Sequence, residues 1–374
     1  MFFGLELSHL QIYWWVIISL LGGFLVFMFF IQGGQTLIDE LSKNELEKTM
    51  FINSLGRKWE LGFTTLVMFG GAAFAAFPLF YSTSFGGAYW AWLSILFCFI
   101  IQAISYEYRK KDNNLYGAKT YELFLKINGF LGVFLIGIAL SSFFSGSYFR
   151  LSEYNFVFWD HPLRGLELLF NPLNYLLGFA LVFLSRILGA AYFMNNIKDD
   201  EIKMRCVRKI YINTFLFLPF FISFIIWIFL KDGFFIDEQK VVSIKSYIYL
   251  LNFLNHPLIL IFFILGILLV LAGIFQAIKK CTKAIFTLGI GVVLVVFNLF
   301  LSLGLGNSPF YPSISHLQSS LTLENASSSY YTLSVMSYVS LLIPFVLAYI
   351  IYSWNAMDKI KITKEEMSNN EHIY

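Results

Sequence analysis

Residues 70–89 read GGAAFAAFPLFYSTSFGGAY, a stretch without a single charge. Gly71 and Ala75, like Ala72 and Ala76, stand four apart, so on a helix they form a face of small side chains that a second backbone can approach closely. Pro78 lacks an N–H and its ring clashes with the preceding turn, which predicts a break or kink near the end of that helix. The glycine-containing SFGG at 84–87 is a short turn, and apolar sequence long enough to span a bilayer continues on both sides of it. The stretch therefore predicts an antiparallel hairpin of two membrane helices, with helix packing at Gly71, Ala75 and Pro78.

Working outward from this hairpin, apolar runs long enough to cross about 30 Å of hydrocarbon recur along the chain. They predict nine helices, near 12–31, 62–82, 88–106, 124–144, 173–194, 211–230, 256–278, 284–305 and 332–354. Only 13% of the 374 residues are charged and 58% are hydrophobic, with 44 Phe. A soluble domain could not cover that much apolar surface. The expected fold is an all-α polytopic membrane protein: residues 1–354 form the membrane domain and 355–374 a polar, frayed cytoplasmic tail. The first run has no basic leader and no small-residue cleavage site, so it reads as a retained helix. All but a handful of the 26 Lys and Arg fall in the loops after helices 1, 3, 5 and 7 and in the tail. The positive-inside rule then puts the N-terminus outside and the C-terminus in the cytoplasm. Two outer segments, 145–172 and 306–331, are rich in aromatics, Ser and Pro, and are expected on the membrane surface or against a partner.

The inventory excludes much chemistry. His9, His161, His256, His316 and His372 sit in loops, tails or at helix ends, whereas a buried haem takes its axial ligands from facing helices. Cys98, Cys206 and Cys281 have no metal-ligand spacing, and no nucleotide-binding glycine motif is present. Two acids stand out. Glu60 in RKWELGF and Glu107 in SYEYRKK lie about equally far from the hairpin turn, which puts both near the cytoplasmic surface at the level of Gln32 and Gln35 in FIQGGQT. Such a group can open a proton path. The structural alternative pairs these acids with Arg57, Lys58, Arg109 or Lys111. Arg186 in FLSRILGAAY lies roughly 12 Å inside the cytoplasmic end of the fifth helix. Without an acid of this chain at that depth, it calls for a carboxylate on another subunit, an anion, or snorkelling to the surface.

Six stretches, in order, resemble subunit II of the cytochrome bd-type quinol oxidases. They are Trp14-Trp15, NSLGRKWE, GGAAFAAFPLFYSTSFGGAY, YEYR, the NPLNYLLG and GAAY that bracket the fifth helix, and SLTLENASSSYYTLSVM. The resemblance implies two four-helix bundles plus a peripheral helix, paired with a subunit I that carries the haems and the quinol site. It also implies a complex that oxidises quinol, reduces O2 to water and generates proton motive force in a bacterial inner membrane. This subunit would support assembly and proton or O2 access, hold a structural quinone in some members, and be joined in some complexes by a small single-helix subunit. Family proton-path acids carry over at Glu60 and Glu107, with Lys111 beside them. Gln32-Gly33-Gly34-Gln35 replaces the family's Asp-Gly-x-Asp, and LGFTT its Gly-Asn-x-x-Trp, which marks a divergent branch. A secondary transporter would instead need repeated halves, broken helices and a midplane polar site. A scaffold without redox association would travel without a haem subunit.

Overall fold

The computed structural model describes residues 2–365. Among them, eight helices are long and apolar enough to cross a membrane, and a bent pair makes a ninth. In chain order these are α1 (Leu7–Leu41), α2 (Glu45–Ala76), α3 (Tyr89–Tyr108), α4 (Ala118–Ser145), α5 (Pro172–Asn196), α6 (Asp200–Leu230), α7 (Pro257–Ile278) and α8 (Ala284–Gly304). The ninth, α9, joins Tyr330–Ser340 to Ile343–Lys359 through a 41° bend. The fold is thus all-helical in its membrane part. Two short antiparallel hairpins lie outside it: β1 (Phe149–Leu151) with β2 (Val157–Trp159), and β3 (Asp232–Ile236) with β4 (Val242–Ser246).

Helix ends follow local chemistry. Asn44, Asn171 and Asp199 each accept a hydrogen bond from a first-turn N–H at the starts of α2, α5 and α6, and Pro172 and Pro257 open α5 and α7, where no N–H is required. Several helices outrun their apolar stretches. α1 continues ten residues past position 31 to Leu41, and α6 begins at Asp200. Polar turns that the hydropathy pattern leaves outside the bilayer are helical here, which matters for Arg186 below. The end rich in Lys and Arg is called the basic end, the opposite one the distal end.

α1 is the central post, packed against α2, α5 and α8. Its closest crossing is with α5: a Cβ on Gly33 would stand 1.9 Å from the Ser185 carbonyl oxygen, and one on Gly189 2.4 Å from the Gly34 nitrogen. The tandem tryptophans tie α1 to two further helices. The Trp14 indole donates to Ser337 Oγ on α9 (3.0 Å) and that of Trp15 to the Phe300 carbonyl on α8 (3.1 Å).

Three expectations change and the break at Pro78 is refined. The small-residue pattern of α2 splits between faces: Gly71 is exposed and a Cβ on it would meet nothing within 4 Å, while Ala76 is buried in the core with Phe69, Ala73 and Phe77. Spacing of four recurs on every face of a helix, so the pattern does not say which one is buried. Pro78 does end α2, but as the first residue of the short helix Pro78–Tyr81, followed by a π-helical turn over Ser82–Gly87. The distal segment 306–331 does not wait for a partner. Phe310, Tyr311 and Leu321 are buried, Tyr311 pairs with Leu321, and Ser313 pairs with Ser147. Residues 355–359 extend α9, and Ile362 pairs with Ile197, so the strand leaving α9 is docked rather than frayed. The remainder of the predicted tail, His372 included, lies outside the described residues.

Candidate functional site

Three helices bring five polar side chains together inside the basic half of the molecule. α1 supplies Gln32 and Gln35, α3 supplies Gln102 and Tyr106, and α4 supplies Asn128. Each is buried. Gln32 Nε2 donates to Gln102 Oε1 at 3.3 Å and Gln35 Nε2 to the Tyr106 hydroxyl at 3.1 Å. The Trp59 indole stacks on Tyr106 with ring centres 5.7 Å apart and planes 11° from parallel.

Local backbone geometry creates this meeting. α4 carries a π-helical turn at Asn128–Gly132, and such turns often mark functional positions in helices. Gly129 in that turn touches α1 so closely that a Cβ would lie 2.4 Å from the Gln32 carbonyl oxygen. The neighbouring Asn128 is buried, and its amide borders Gly132 beside Cys98 of α3, one turn from Gln102. Among the described residues, Gln32 Oε1, Gln35 Oε1, Gln102 Nε2 and both amide atoms of Asn128 have no hydrogen-bond partner. Buried amides normally find partners, and water is the usual one when protein atoms are missing. A cluster of neutral amides can pass a proton through bound water and cannot hold a charge.

Glu60 and Glu107 lie elsewhere. Each follows a buried aromatic, Trp59 or Tyr106, by one position, and one residue along a helix is a turn of about 100°. Both carboxylates accordingly face outward. Among the described residues neither has a hydrogen bond or ion pair. The cluster of acids and amides expected from depth alone is therefore divided between the outer and inner faces of α2 and α3. The cations named as structural partners are engaged elsewhere. Arg109 binds Glu122 (2.7 Å), Lys58 binds Asp358 (3.0 Å), the Arg57 guanidinium donates to the Ile360 carbonyl, and the Lys111 ammonium rests 4.4 Å from the Tyr108 ring centre.

Arg186 has a partner in its own chain. Its Nη2 donates to both carboxylate oxygens of Glu40 at 2.8 Å, its Nε to Asn213 Oδ1 at 2.7 Å and its Nη1 to Thr36 Oγ1 at 3.0 Å. Lys209 shares Glu40 at 2.6 Å. The α5 backbone beside Arg186 meets α1 at Gly33, so the side chain reaches about 10 Å along α1 to Glu40. No outside carboxylate is needed: the side chain extends towards the basic end, as the snorkelling alternative has it, and meets Glu40 there because α1 stays helical past its apolar run.

Sequence reading also passed over Gln102, Asn128 and the ion pairs at the basic end. There Glu122 joins Arg109 to Lys48 (3.0 Å), and Asp39 joins Lys48 (3.4 Å) to Lys126. Gln102 and Asn128 did carry a signal. Each is a lone amide in an apolar run, and such a residue needs a buried partner.

Known proteins agree with this architecture. The family described as cytochrome bd terminal oxidase subunit II matches residues 10–357. The chain is 27% identical to cytochrome bd-I ubiquinol oxidase subunit 2 of Escherichia coli, covering 98% of this chain and 99% of that protein. It is 27% identical to a probable cytochrome oxidase subunit 2 of Haemophilus influenzae, over 94% of this chain and 95% of the other. In fold it resembles a chain in the structure of bd oxidase from Geobacillus thermodenitrificans, with a TM-score of 0.66, 11% identity, and 93% and 98% of the two chains covered. Such relatives are subunits of an oxidoreductase complex, a terminal oxidase. With the family matched from within the first helix to the end of the last, the chain belongs to the subunit II family of cytochrome bd terminal oxidases.

Proposed function

We propose that this chain is the haem-free subunit of a quinol:O2 oxidoreductase in a bacterial cytoplasmic membrane, and that it stabilises the haem-bearing subunit and delivers protons to it across α2 and α3. What supports the reading is one continuous surface. The exposed positions of α2 include Glu60, Thr64, Val67, Met68, Gly71 and Phe74, and those of α3 include Trp90, Leu93, Phe97, Ile100, Ile104 and Glu107. The stripe on α3 runs the length of the helix and that on α2 its distal half, from Glu60 to Phe74, and each carries an acid at its end nearer the basic side. The exposed face of α7, by contrast, is aliphatic and aromatic throughout, with Leu258, Ile261, Leu265, Leu268 and Phe275. Unpaired carboxylates on apolar faces are costly against lipid, and an open glycine invites a close helix contact. A protein partner relieves both.

The haems belong to that partner. Among the described residues, His9 is exposed in the first turn of α1, His161 and His316 sit in distal loops, and the His256 Nδ1 hydrogen-bonds with the Asn252 carbonyl at the start of α7. Buried Met28, Met50 and Met194 are packed in the apolar core. This set does not fit a facing pair of axial ligands. The chain's own contribution is to hold protons at Glu60 and Glu107 on the seam, with Lys111 beside them and the amide cluster of Gln32, Gln35, Gln102 and Asn128 behind.

The test is Glu107→Gln in the purified complex. O2 consumption should slow several-fold while haem content stays intact. Unchanged turnover rejects the path.

A further inference from the structure

The seam between α6 and α7 combines two features that the oxidase reading does not use. The first is an apolar cavity of about 60 Å³ enclosed by α5, α6, α7 and α8. Leu181, Phe217, Leu218, Phe221, Ile267 and Val292 are among the side chains around it, and every lining residue is apolar. Its volume is less than half of the roughly 150 Å³ of an engineered cavity that takes up benzene. It suits the end of an alkyl chain rather than a ring system. Leu271, also in the lining, is 42% exposed, so the cavity opens on the outer surface of α7.

The second feature is charge. From Leu271 an exposed stripe continues through Phe275 to Lys279 at intervals of four, a distance of about 12 Å along the helix. Lys279, Lys280 and Lys283 cluster in the turn between α7 and α8. All three are exposed, and among the described residues none has an ion pair. The turn is held in place by Asn195 at the end of α5, whose Nδ2 donates to the Thr282 carbonyl at 3.0 Å. Elsewhere at the basic end, Lys43, Lys48, Lys58, Lys126, Lys203, Lys209 and Lys364 pair with acids. Lys110, Lys111, Lys119 and Lys198 are exposed without an ion pair among the described residues but have no such apolar cavity lined beside them.

We propose that this seam binds one anionic phospholipid, with its phosphate among Lys279, Lys280 and Lys283 and an acyl chain running past Phe275 and Leu271 into the cavity. Charge complementarity selects the occupant. Unpaired lysines beside a bilayer attract anionic headgroups, and a zwitterionic lipid leaves them without a counter-charge. The membrane-facing opening admits a chain from the side, and the spacing from lysines to cavity is within an acyl chain's reach. Lipid binding at this seam is independent of the proton path.

The experiment uses the purified complex, stripped of lipid in detergent and returned to phosphatidylglycerol or phosphatidylcholine of identical chains. Native mass spectrometry then counts bound lipid. The wild type should retain one phosphatidylglycerol in preference to phosphatidylcholine. Lys279→Gln, Lys280→Gln and Lys283→Gln together should abolish the preference, weakening retention by about fivefold per lysine, with haem content unchanged. Val292→Phe, which fills the cavity, should reduce retention of both lipids. Equal retention of phosphatidylglycerol by wild type and the lysine variant overturns the proposal. So does a quinone or a further protein helix found in the α6–α7 seam.

Discussion

Glu167 shows how much a single side chain can conceal. It lies in the distal segment between β2 and α5, where sequence reading found only a surface loop, and its side chain is almost wholly buried. Oε2 accepts the Gly165 N–H at 2.7 Å, while Oε1 has no partner among the described residues. Burial pushes this carboxyl above its ordinary range, against the pull of backbone N–H groups and of His161 at 3.8 Å. An acid raised in the folded state contributes stability that is complete below its unfolded value, about 4.3, and that is lost as pH rises through the raised value. Glu167→Gln keeps an acceptor for Gly165 and removes the titration. At neutral pH, residues 160–170 should exchange amide hydrogens more slowly in the variant than in the wild type, and the two should converge in acid. Hydrogen–deuterium exchange corrected for intrinsic rates measures this, and parallel profiles at all pH values refute it.

At the scale of helices, the decisive quantity is rotation about each axis. Small residues four apart were readable in α2, yet the tightest backbone contact that glycines make here is between α1 and α5, at Gly33, Gly34 and Gly189. Gly189→Val would drive a side chain into the Gly34 backbone, which no rotamer change relieves. It should cost about 3 kcal/mol or more and leave little monodisperse subunit after extraction. Gly71→Leu meets nothing in this chain, so the subunit alone should fold normally and instead fail to co-purify with haem. If Gly71→Leu assembles fully, the α2 stripe is not the docking face. The same rotation separates Glu60 from Gln32. Depth along a helix was legible in residue counts, whereas the side to which a residue points depends on Trp59 and Tyr106 turning inward.

Across the whole molecule, Lys58 and Asp358 close the structure over a separation of 300 positions. Lys58 is fully buried, with its ammonium 3.0 Å from Asp358 Oδ1 and 4.9 Å from the Trp354 ring centre. Asn196 on α5 donates to the same oxygen at 3.1 Å. Asp358 is the one buried residue of Ile343–Lys359, so this contact and the docked strand after it attach the lower half of α9. Lys58→Met strands a buried carboxylate and should destabilise by about 3–5 kcal/mol. Lys58→Met with Asp358→Leu should recover most of that loss, read as thermal retention of haem by the complex. No recovery would mean that the pair is not what holds α9. Local composition decided the helical membrane class, the approximate spans and the family resemblance, because the transfer of about twenty apolar residues into hydrocarbon is settled within each stretch. Only the folded chain decided that Arg186 meets Glu40, that five amide and phenol groups converge inside while two acids face out, and that α9 is fastened by Lys58. Those outcomes depend on helix rotation, on a π-turn and on helices outrunning their apolar runs, which are set by packing against distant segments.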